Sequence, residues 1–215
     1  MLNKYIFKYF LFLVPVLTLM FTGCTGSSAP SRFYALNSMD STGRNIEKVS
    51  QEENTVIAVG PVLIPDYLNR PQIVVRTGRN ELTLSEFDRW PGSLEEEISR
   101  VLLDNLSILL DEKEIFVMPW KRAIPSAYRV AVNINSLDIY MNNHVILKAN
   151  WIITGKEGEK LIIIKDKDYR EPVQGNDYSS AVKAMDKALL SLSSDMAETI
   201  ADKLTQIKQE KDSRK

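Results

Sequence analysis

The sequence predicts an α+β domain with a mostly antiparallel sheet and two main helices packed on one face of it. Two observations predict this class. Short β-branched runs separated by turn residues precede a well-capped apolar helix, and three alternating runs then precede a second, longer helix. The order strands, helix, strands, helix is typical of α+β architectures, in which helices cover one side of a sheet.

Four short runs before the first helix are predicted as strands. They are residues 32–36, 55–59, 72–76 and 81–84. The last two runs flank the turn sequence Gly78-Arg79-Asn80 and therefore predict a hairpin. Residues 40–54 are strongly polar and lack apolar periodicity, so they are predicted to form a loop.

The first helix is predicted from its N-terminal signals. Ser93 and Glu96 have the spacing of a capping box, in which Ser93 is the N-cap. Apolar residues then recur at helical spacing as far as Leu110. Pro119 is read as the end of the connection that follows the helix.

The second group of strands contains one irregularity. Residues 128–140 form a long run in which the apolar parity changes near Asn135-Ser136, which predicts either a strand buried on both faces or a bulge. Residues 145–153 alternate regularly, and a turn at 155–158 leads into a third antiparallel strand, 160–165. The acids that follow, Asp166, Asp168 and Glu171, are read as part of a solvated loop.

The last helix is predicted to begin after Asp177, a suitable N-cap. Apolar residues advance by three or four positions over about seven turns, from Val182 to Ile207. This stripe is predicted to cover the sheet rather than to bind a partner. From Lys208 the chain is charged, so residues 208–215 are predicted to be a frayed tail.

The first 23 residues have the pattern of an export signal. Lys4 and Lys8 precede an uncharged apolar run that is shorter than the ~20 residues a membrane-spanning helix needs. The following FTGC sequence resembles the lipobox of bacterial lipoproteins, although Phe21 stands where Leu is usual. That resemblance implies cleavage before Cys24 and acylation of Cys24. An ordinary secretory signal with an incidental cysteine is the alternative.

The lipobox resemblance also predicts the organisation of the mature chain. Residues 24–31 would be the lipidated N-terminus and a small polar linker, and residues 32–207 a single periplasmic domain. Thr25 follows the cysteine at the position where inner-membrane lipoproteins typically carry Asp. The resemblance therefore implies the outer membrane, on its periplasmic face.

Composition disfavours several other functions. The net charge of −1 supplies no basic excess for nucleic-acid binding. The single cysteine and single histidine, Cys24 and His144, exclude a disulfide framework and a Cys/His zinc site. Neither a phosphate-binding glycine loop nor a nucleophile elbow is present, so the sequence predicts no enzyme, no cofactor and no metal.

Two stretches are more specific than a generic core requires. They read VGPVLIPDYLNRPQIV at residues 59–74 and LSEFDRW at residues 84–90. With the residues 32–36 after the lipobox, they resemble the PqiC/YmbA-type lipoproteins, which are auxiliary components of MCE-type (mammalian cell entry) ABC transport systems. The resemblance implies a non-enzymatic tether at the outer membrane. Its implied partners are an MCE-domain protein and its permease, and a ring-like homo-oligomer is compatible with it.

The same stretches supply the candidate partner-binding residues. These are Asp66, Tyr67, Leu68, Arg70, Pro71, Glu86, Phe87, Arg89 and Trp90. Tyrosine, arginine and tryptophan are enriched at interface anchors. The prolines predict a stiff, non-helical arm between strands. The alternative is internal packing, with Tyr67 and Leu68 against the sheet and Arg70 or Arg89 paired with Asp66 or Glu86.

Other functions are compatible with the same predicted fold. A general structural or assembly lipoprotein of another envelope complex is the main alternative to the transport role. Direct lipid carriage would need an enclosed apolar cavity of several hundred Å3, in the range of known ligand sites.

Overall fold

The computed structural model describes residues 29–40, 55–111, 115–120, 126–155 and 161–213. The predicted signal segment, Cys24, residues 41–54 of the polar loop and most of the 155–158 turn lie outside these ranges. Contacts divide the chain into Met1–Pro30 and Ser31–Lys215, and every described helix and strand belongs to the second unit. No helix among the described residues is both long and apolar enough to cross a membrane.

The described residues contain eight strands and two helices, in the order strands, helix, strands, helix. The strands are β1 (Arg32–Phe33), β2 (Thr55–Leu63), β3 (Gln72–Gly78), β4 (Glu81–Arg89), β5 (Ile115–Pro119), β6 (Tyr128–Tyr140), β7 (His144–Thr154) and β8 (Leu161–Pro172). The helices are α1 (Leu94–Leu109), between β4 and β5, and α2 (Tyr178–Asp212), after β8. The predicted class and element order are confirmed.

The strands form two mixed sheets rather than one mostly antiparallel sheet. A three-stranded sheet has the order β1-β4-β3, and a five-stranded sheet has the order β5-β2-β6-β7-β8. β2 pairs in parallel with both β5 and β6, and β1 pairs in parallel with β4. Parallel pairing is allowed because long connections, including the β3-β4 hairpin and α1, separate these partners along the chain.

The sequence does not predict β5, because the residues between the first helix and Pro119 have the pattern of a connection. Ile115 and Val117 are buried and Phe116 is exposed, so this short run has the alternation of a half-buried strand. Several strands are longer than predicted, including β2, which continues to Leu63, whereas β1 ends at Phe33 rather than at residue 36. β4 continues to Arg89, and β8 continues to Pro172, so Asp166 and Asp168 lie in an edge strand rather than in a loop.

Both helices cover the same face of the five-stranded sheet. α1 contacts β2 and β5, α2 contacts β7 and β8, and the helices contact each other. β7 shows this one-sided burial most clearly, since its inward residues are all at most 4% exposed: Val145, Leu147, Ala149, Trp151 and Ile153. The two helices and this face enclose the core, as the apolar stripe of α2 predicts.

Local signals in the sequence predicted both helix N-caps correctly, and the bulge in β6 is one of the two alternatives that they left open. The side chain of Ser93 accepts a hydrogen bond from the backbone N–H of Glu96, and Asp177 accepts one from Ser180. In β6 the pairing register with β7 shifts at Asn135, which resolves the two predicted alternatives in favour of a bulge. The predicted frayed tail is wrong in part, because α2 continues through Lys208 to Asp212.

The first described residues of the domain are held firmly against it. We call residues 32–39 the N-terminal strap. The backbone N–H of Asn37 donates to Asp186 of α2 at 3.0 Å, and that of Met39 donates to Asn105 of α1 at 2.8 Å. The chain therefore enters the domain at one fixed place.

Candidate docking surface

The two stretches that carry the family resemblance, residues 59–74 and 84–90, meet at the three-stranded sheet. The backbone N–H of Trp90 donates to the carbonyl of Pro71 at 2.7 Å, and Gln72 pairs with Arg89 between β3 and β4. The order of the strands thus places the end of the Pro-rich segment beside the end of β4. This is the junction where most of the candidate residues come together.

The candidate residues divide into buried and accessible groups. Leu68 and Trp90 are 4% and 3% exposed and belong to the core. We define the motif surface as the accessible candidates: Asp66, Tyr67, Arg70, Pro71, Glu86, Phe87 and Arg89. Leu68 is therefore packed internally, as the alternative predicts, and Trp90 is buried as well. Tyr67 is partly buried and also packs against the core, so a direct role in binding belongs to the more accessible members of the motif surface.

The Pro-rich segment between β2 and β3 contains a hydrogen-bonded turn. The backbone N–H of Leu68 donates to the carbonyl of Pro65 at 2.9 Å, and that of Asn69 donates to the carbonyl of Asp66 at 3.2 Å. The turn directs Leu68 into the core and leaves Asp66 and Asn69 exposed. Pro65 fixes its own backbone φ at the start of this turn, which favours the tight geometry.

The two arginines of the motif surface do not form the predicted ion pairs. Arg89 donates from Nη2 to the backbone carbonyl of Glu86 at 3.4 Å, and no ion pair joins it to that carboxylate. The Nε atoms of Arg70 and Arg89 are buried without a hydrogen-bond partner among the described residues. Because these two Nε atoms are buried, only the terminal nitrogens of each guanidinium group remain to bind a carboxylate or phosphate of a partner.

Tyr67 lies beside an ion pair that connects the two sheets. Arg76 of β3 contacts Asp138 of β6, with 2.8 Å between Nε and Oδ1 and both side chains largely buried. Burial raises the pKa of the Tyr67 phenol, and the nearby Asp138 carboxylate raises it further. The phenol therefore stays neutral, and its oxygen is buried without a hydrogen-bond partner among the described residues.

Sequence reasoning missed Asp88, the most extensively bonded residue of this region. Its carboxylate is 4% exposed and accepts hydrogen bonds from Arg32 at 2.8 Å, Tyr34 at 2.9 Å and Ser85 at 2.8 Å. Burial raises the pKa of Asp88, but the hydrogen bonds from Arg32, Ser85 and Tyr34 outweigh it, and the net pKa lies below its usual value. Asp88 thereby fastens the strap to β4. No local pattern could reveal an interaction that joins residues 56 positions apart.

His144 is half-buried at the start of β7. Its ring lies 4.7 Å from that of Tyr140, and Nη2 of Arg170 lies 3.1 Å from both ring nitrogens. Burial lowers the pKa of His144, and the Arg170 guanidinium lowers it further. These contacts assign His144 to the packing of the β6-β7 turn. Among the described residues, no group of three or more His, Cys, Asp or Glu side chains is arranged to hold a metal ion.

Three cavities of the described part are either very small or lined with charge. An apolar cavity of about 10 Å3 lies between the five-stranded sheet and the C-terminal half of α2. This volume accommodates about one water molecule, far less than an acyl chain. Two open grooves of about 420 and 400 Å3 carry charged side chains, including Glu95 and Arg100 in the first and Lys165 and Asp195 in the second. These cavities do not favour direct lipid carriage.

Comparison with protein families shows to which family this chain is related. The sequence model of the ABC-type transport auxiliary lipoprotein components matches residues 34–197, which include the strap from Tyr34, both motif stretches and most of α2. The chain belongs to this family. Members of the family are components of transport systems, so the predicted PqiC/YmbA-type relationship is confirmed.

Individual relatives agree with this auxiliary lipoprotein family. The chain is 23% identical to the intermembrane transport lipoprotein PqiC of Escherichia coli over an alignment of 174 residues. The alignment covers 80% of this chain and 88% of PqiC. PqiC of Shigella flexneri matches over the same span with the same identity.

Solved structures show the same fold. An uncharacterised protein gives a TM-score of 0.67 at 19% identity and covers 80% of this chain and 99% of its own. A protein from Xanthomonas campestris gives a TM-score of 0.64 at 14% identity and covers 83% of this chain and 99% of its own. At these identities the likeness concerns the fold alone.

Proposed function

We propose that this auxiliary lipoprotein is anchored to the outer membrane through Cys24 and docks or tethers an MCE-type ABC transport system in the periplasm. The partners in this proposal are an MCE-domain protein and its permease. A homo-oligomeric ring around the MCE protein is compatible with it. The role supports lipid traffic between membranes and envelope integrity, and it involves no enzymatic step and no cofactor.

The family match carries the proposal. It covers residues 34–197, and the family consists of auxiliary lipoproteins of ABC-type transport. PqiC, a relative across 80% of the chain, is named for intermembrane transport. The lipobox-like sequence ending at Cys24 supports an anchor, because several acyl chains hold a protein on a bilayer stably.

The motif surface is the part of the domain that best fits a protein partner. It combines the partly exposed ring of Phe87 on β4 with the partly exposed side chain of Arg70 in the turn before β3, and the core beneath holds both elements in place. Aromatic and arginine side chains on rigid elements are the usual anchors of protein interfaces. We therefore assign docking of the MCE protein to this surface.

The test is copurification from native membranes. Tagged, lipidated protein should enrich an MCE-domain protein and its permease, identified by mass spectrometry. The Cys24→Ala variant should leave the membrane fraction and lose both partners, because the anchor places the domain where the transporter ends. Recovery of a different envelope complex by the wild-type protein would contradict the transport role and favour the general structural or assembly lipoprotein.

A further inference from the structure

The N-terminal strap places one exposed aromatic ring next to the point where the anchor joins the domain. Phe33 is 64% exposed, the largest fraction among the large apolar side chains of the described residues. It lies on β1, paired with Arg89 of β4, and the next backbone N–H, that of Tyr34, donates to the carbonyl of Arg89 at 2.9 Å. The ring is thus held out from the domain by a fixed backbone.

Positive charge lies near this ring on both faces of the sheet, since Arg89 is its partner on β4 and Arg32, the preceding residue of β1, points to the opposite face. Arg32, whose side chain is 65% exposed, uses Nε and Nη2 to bind Asp88, at 2.8 and 3.1 Å. A guanidinium carries five N–H donors, so Arg32 keeps further donors directed to solvent. Arg89 lies beside Phe33 on the neighbouring strand. An apolar ring with flanking arginines matches the boundary between phospholipid headgroups and acyl chains.

The length of chain between anchor and ring keeps this site near the bilayer. Nine residue steps separate Cys24 from Phe33, and a fully extended chain covers at most about 32 Å over that distance. The 35 residues of α2 alone extend about 52 Å. An anchor at Cys24 would therefore confine Phe33 near the membrane, whereas remote parts of the domain can lie much farther away.

The opposite end of α2 provides an internal comparison. Tyr34 of the strap lies 6.2 Å, between ring centroids, from Tyr178 in the first turn of α2. Ile164 of β8 is 63% exposed, nearly the same as Phe33. Ile162, two residues before Ile164 on β8, lines a cavity together with Ile200. Ile200 lies 22 residues, or about 33 Å, along α2 from Tyr178. The two most exposed apolar side chains thus lie toward opposite ends of this helix.

We propose that Phe33, with Arg32 and Arg89 beside it, is a phospholipid-contact site that seats the β1 end of the domain on the membrane. Phe33 inserts at the level of the headgroups, and Arg32 and Arg89 bind lipid phosphate. Arg89 then belongs to the membrane contact, and the other members of the motif surface remain for docking of the MCE protein. A single ring binds membranes weakly in free solution, but the anchor raises its effective concentration at the bilayer. The inference rests on the lipid anchor of the proposed function.

The test uses the lipidated full-length mature protein in vesicles of phosphatidylethanolamine and phosphatidylglycerol with brominated acyl chains. Bromine quenches tryptophan fluorescence only at short range. The emission of the new indole in Phe33→Trp, taken as the difference from the wild-type protein, should be roughly two-fold lower than in unbrominated vesicles, because this indole lies at the acyl boundary. Ile164→Trp, at a matched exposure, should show no more quenching than the wild-type protein, whose own tryptophans give the background.

Flotation of the vesicles separates the two hypotheses. Failure of the lipidated wild-type protein to float would overturn the anchor and, with it, this inference. Flotation without added quenching of Phe33→Trp would overturn the inference alone, as would equal quenching at positions 33 and 164. Loss of the transporter partner from Phe33→Asp, with no quenching of Phe33→Trp, would assign the ring to a protein contact instead.

Discussion

Replacing Trp90 by alanine is expected to lower the free energy of unfolding by about 3–5 kcal/mol, the usual cost of deleting a fully buried tryptophan side chain. Trp90 is 3% exposed and lies where the two family stretches join, with its backbone N–H bonded to Pro71. Its loss would leave a cavity beneath the motif surface. Urea unfolding of the variant and the wild-type protein measures the difference.

The matched control for Trp90→Ala is Phe33→Ala, which removes an aromatic side chain that is 64% exposed. Its free energy of unfolding should stay within about 0.5 kcal/mol of wild type, as is usual for surface positions. Similar losses in the two variants would contradict the assignment of Trp90 to the core. Trp90 would then have to be counted among the docking residues.

Replacing Asp88 is expected to have the second-largest effect, and one that depends on pH. Asp88→Ala leaves the hydroxyl groups of Tyr34 and Ser85 without their acceptor, at a cost of about 1–3 kcal/mol at pH 7. The N-terminal strap should also become more susceptible to proteolysis. Equilibrium unfolding and limited proteolysis check the two expectations.

The pH dependence follows from the lowered pKa of Asp88. A carboxyl whose folded-state pKa lies below its unfolded value stabilises the fold above the unfolded pKa, near ~3.9 for Asp. That contribution is lost as the pH falls through the folded pKa. The stability difference between wild type and Asp88→Asn should therefore be constant from pH 7 to about 5 and shrink below about pH 4.

Glu86→Gln provides the control for the Asp88 variants, because Glu86 is exposed on the same strand. It should change the free energy of unfolding at pH 7 by no more than about 0.5 kcal/mol. A difference between wild type and Asp88→Asn that grew as the medium became more acidic would refute the stabilising role of the Asp88 carboxylate.

Sequence reasoning succeeded where the signal lies within a few residues. Ser93 and Asp177 accept hydrogen bonds from residues three positions later, so each cap is visible as a local pattern. The bulge at Asn135 is visible for the same reason, because one extra residue reverses the apolar parity of a single strand.

Sequence reasoning failed where the structure depends on distant partners. The parallel pairs of β2 with β5 and β6 are formed by segments separated by α1, and no local feature distinguishes them from antiparallel neighbours. The strand predicted at 160–165 ends too early, because the second half of β8 carries alternating charges. Such charges are typical of an edge strand, and Lys148 pairs with Asp168 across β7 and β8.

In the candidate site too, local features could be predicted from the sequence and features that depend on distant partners could not. Family resemblance identified the two stretches, but their residue types could not show which side chains face the core. Leu68 is buried because a turn that begins at Pro65 directs it inward. Asp88, between the candidates Phe87 and Arg89, was overlooked because its partner Arg32 lies on a separate strand.

The most direct measurement is in-cell crosslinking from the motif surface. A photoreactive amino acid would replace Glu86, an exposed member of that surface, in the otherwise wild-type lipoprotein. The control position is Glu198, an exposed glutamate in the second half of α2. We expect an adduct with an MCE-domain protein from position 86 and none from position 198. Adducts only from position 198, or only with proteins of another envelope complex, would contradict docking of an MCE transport system at the motif surface.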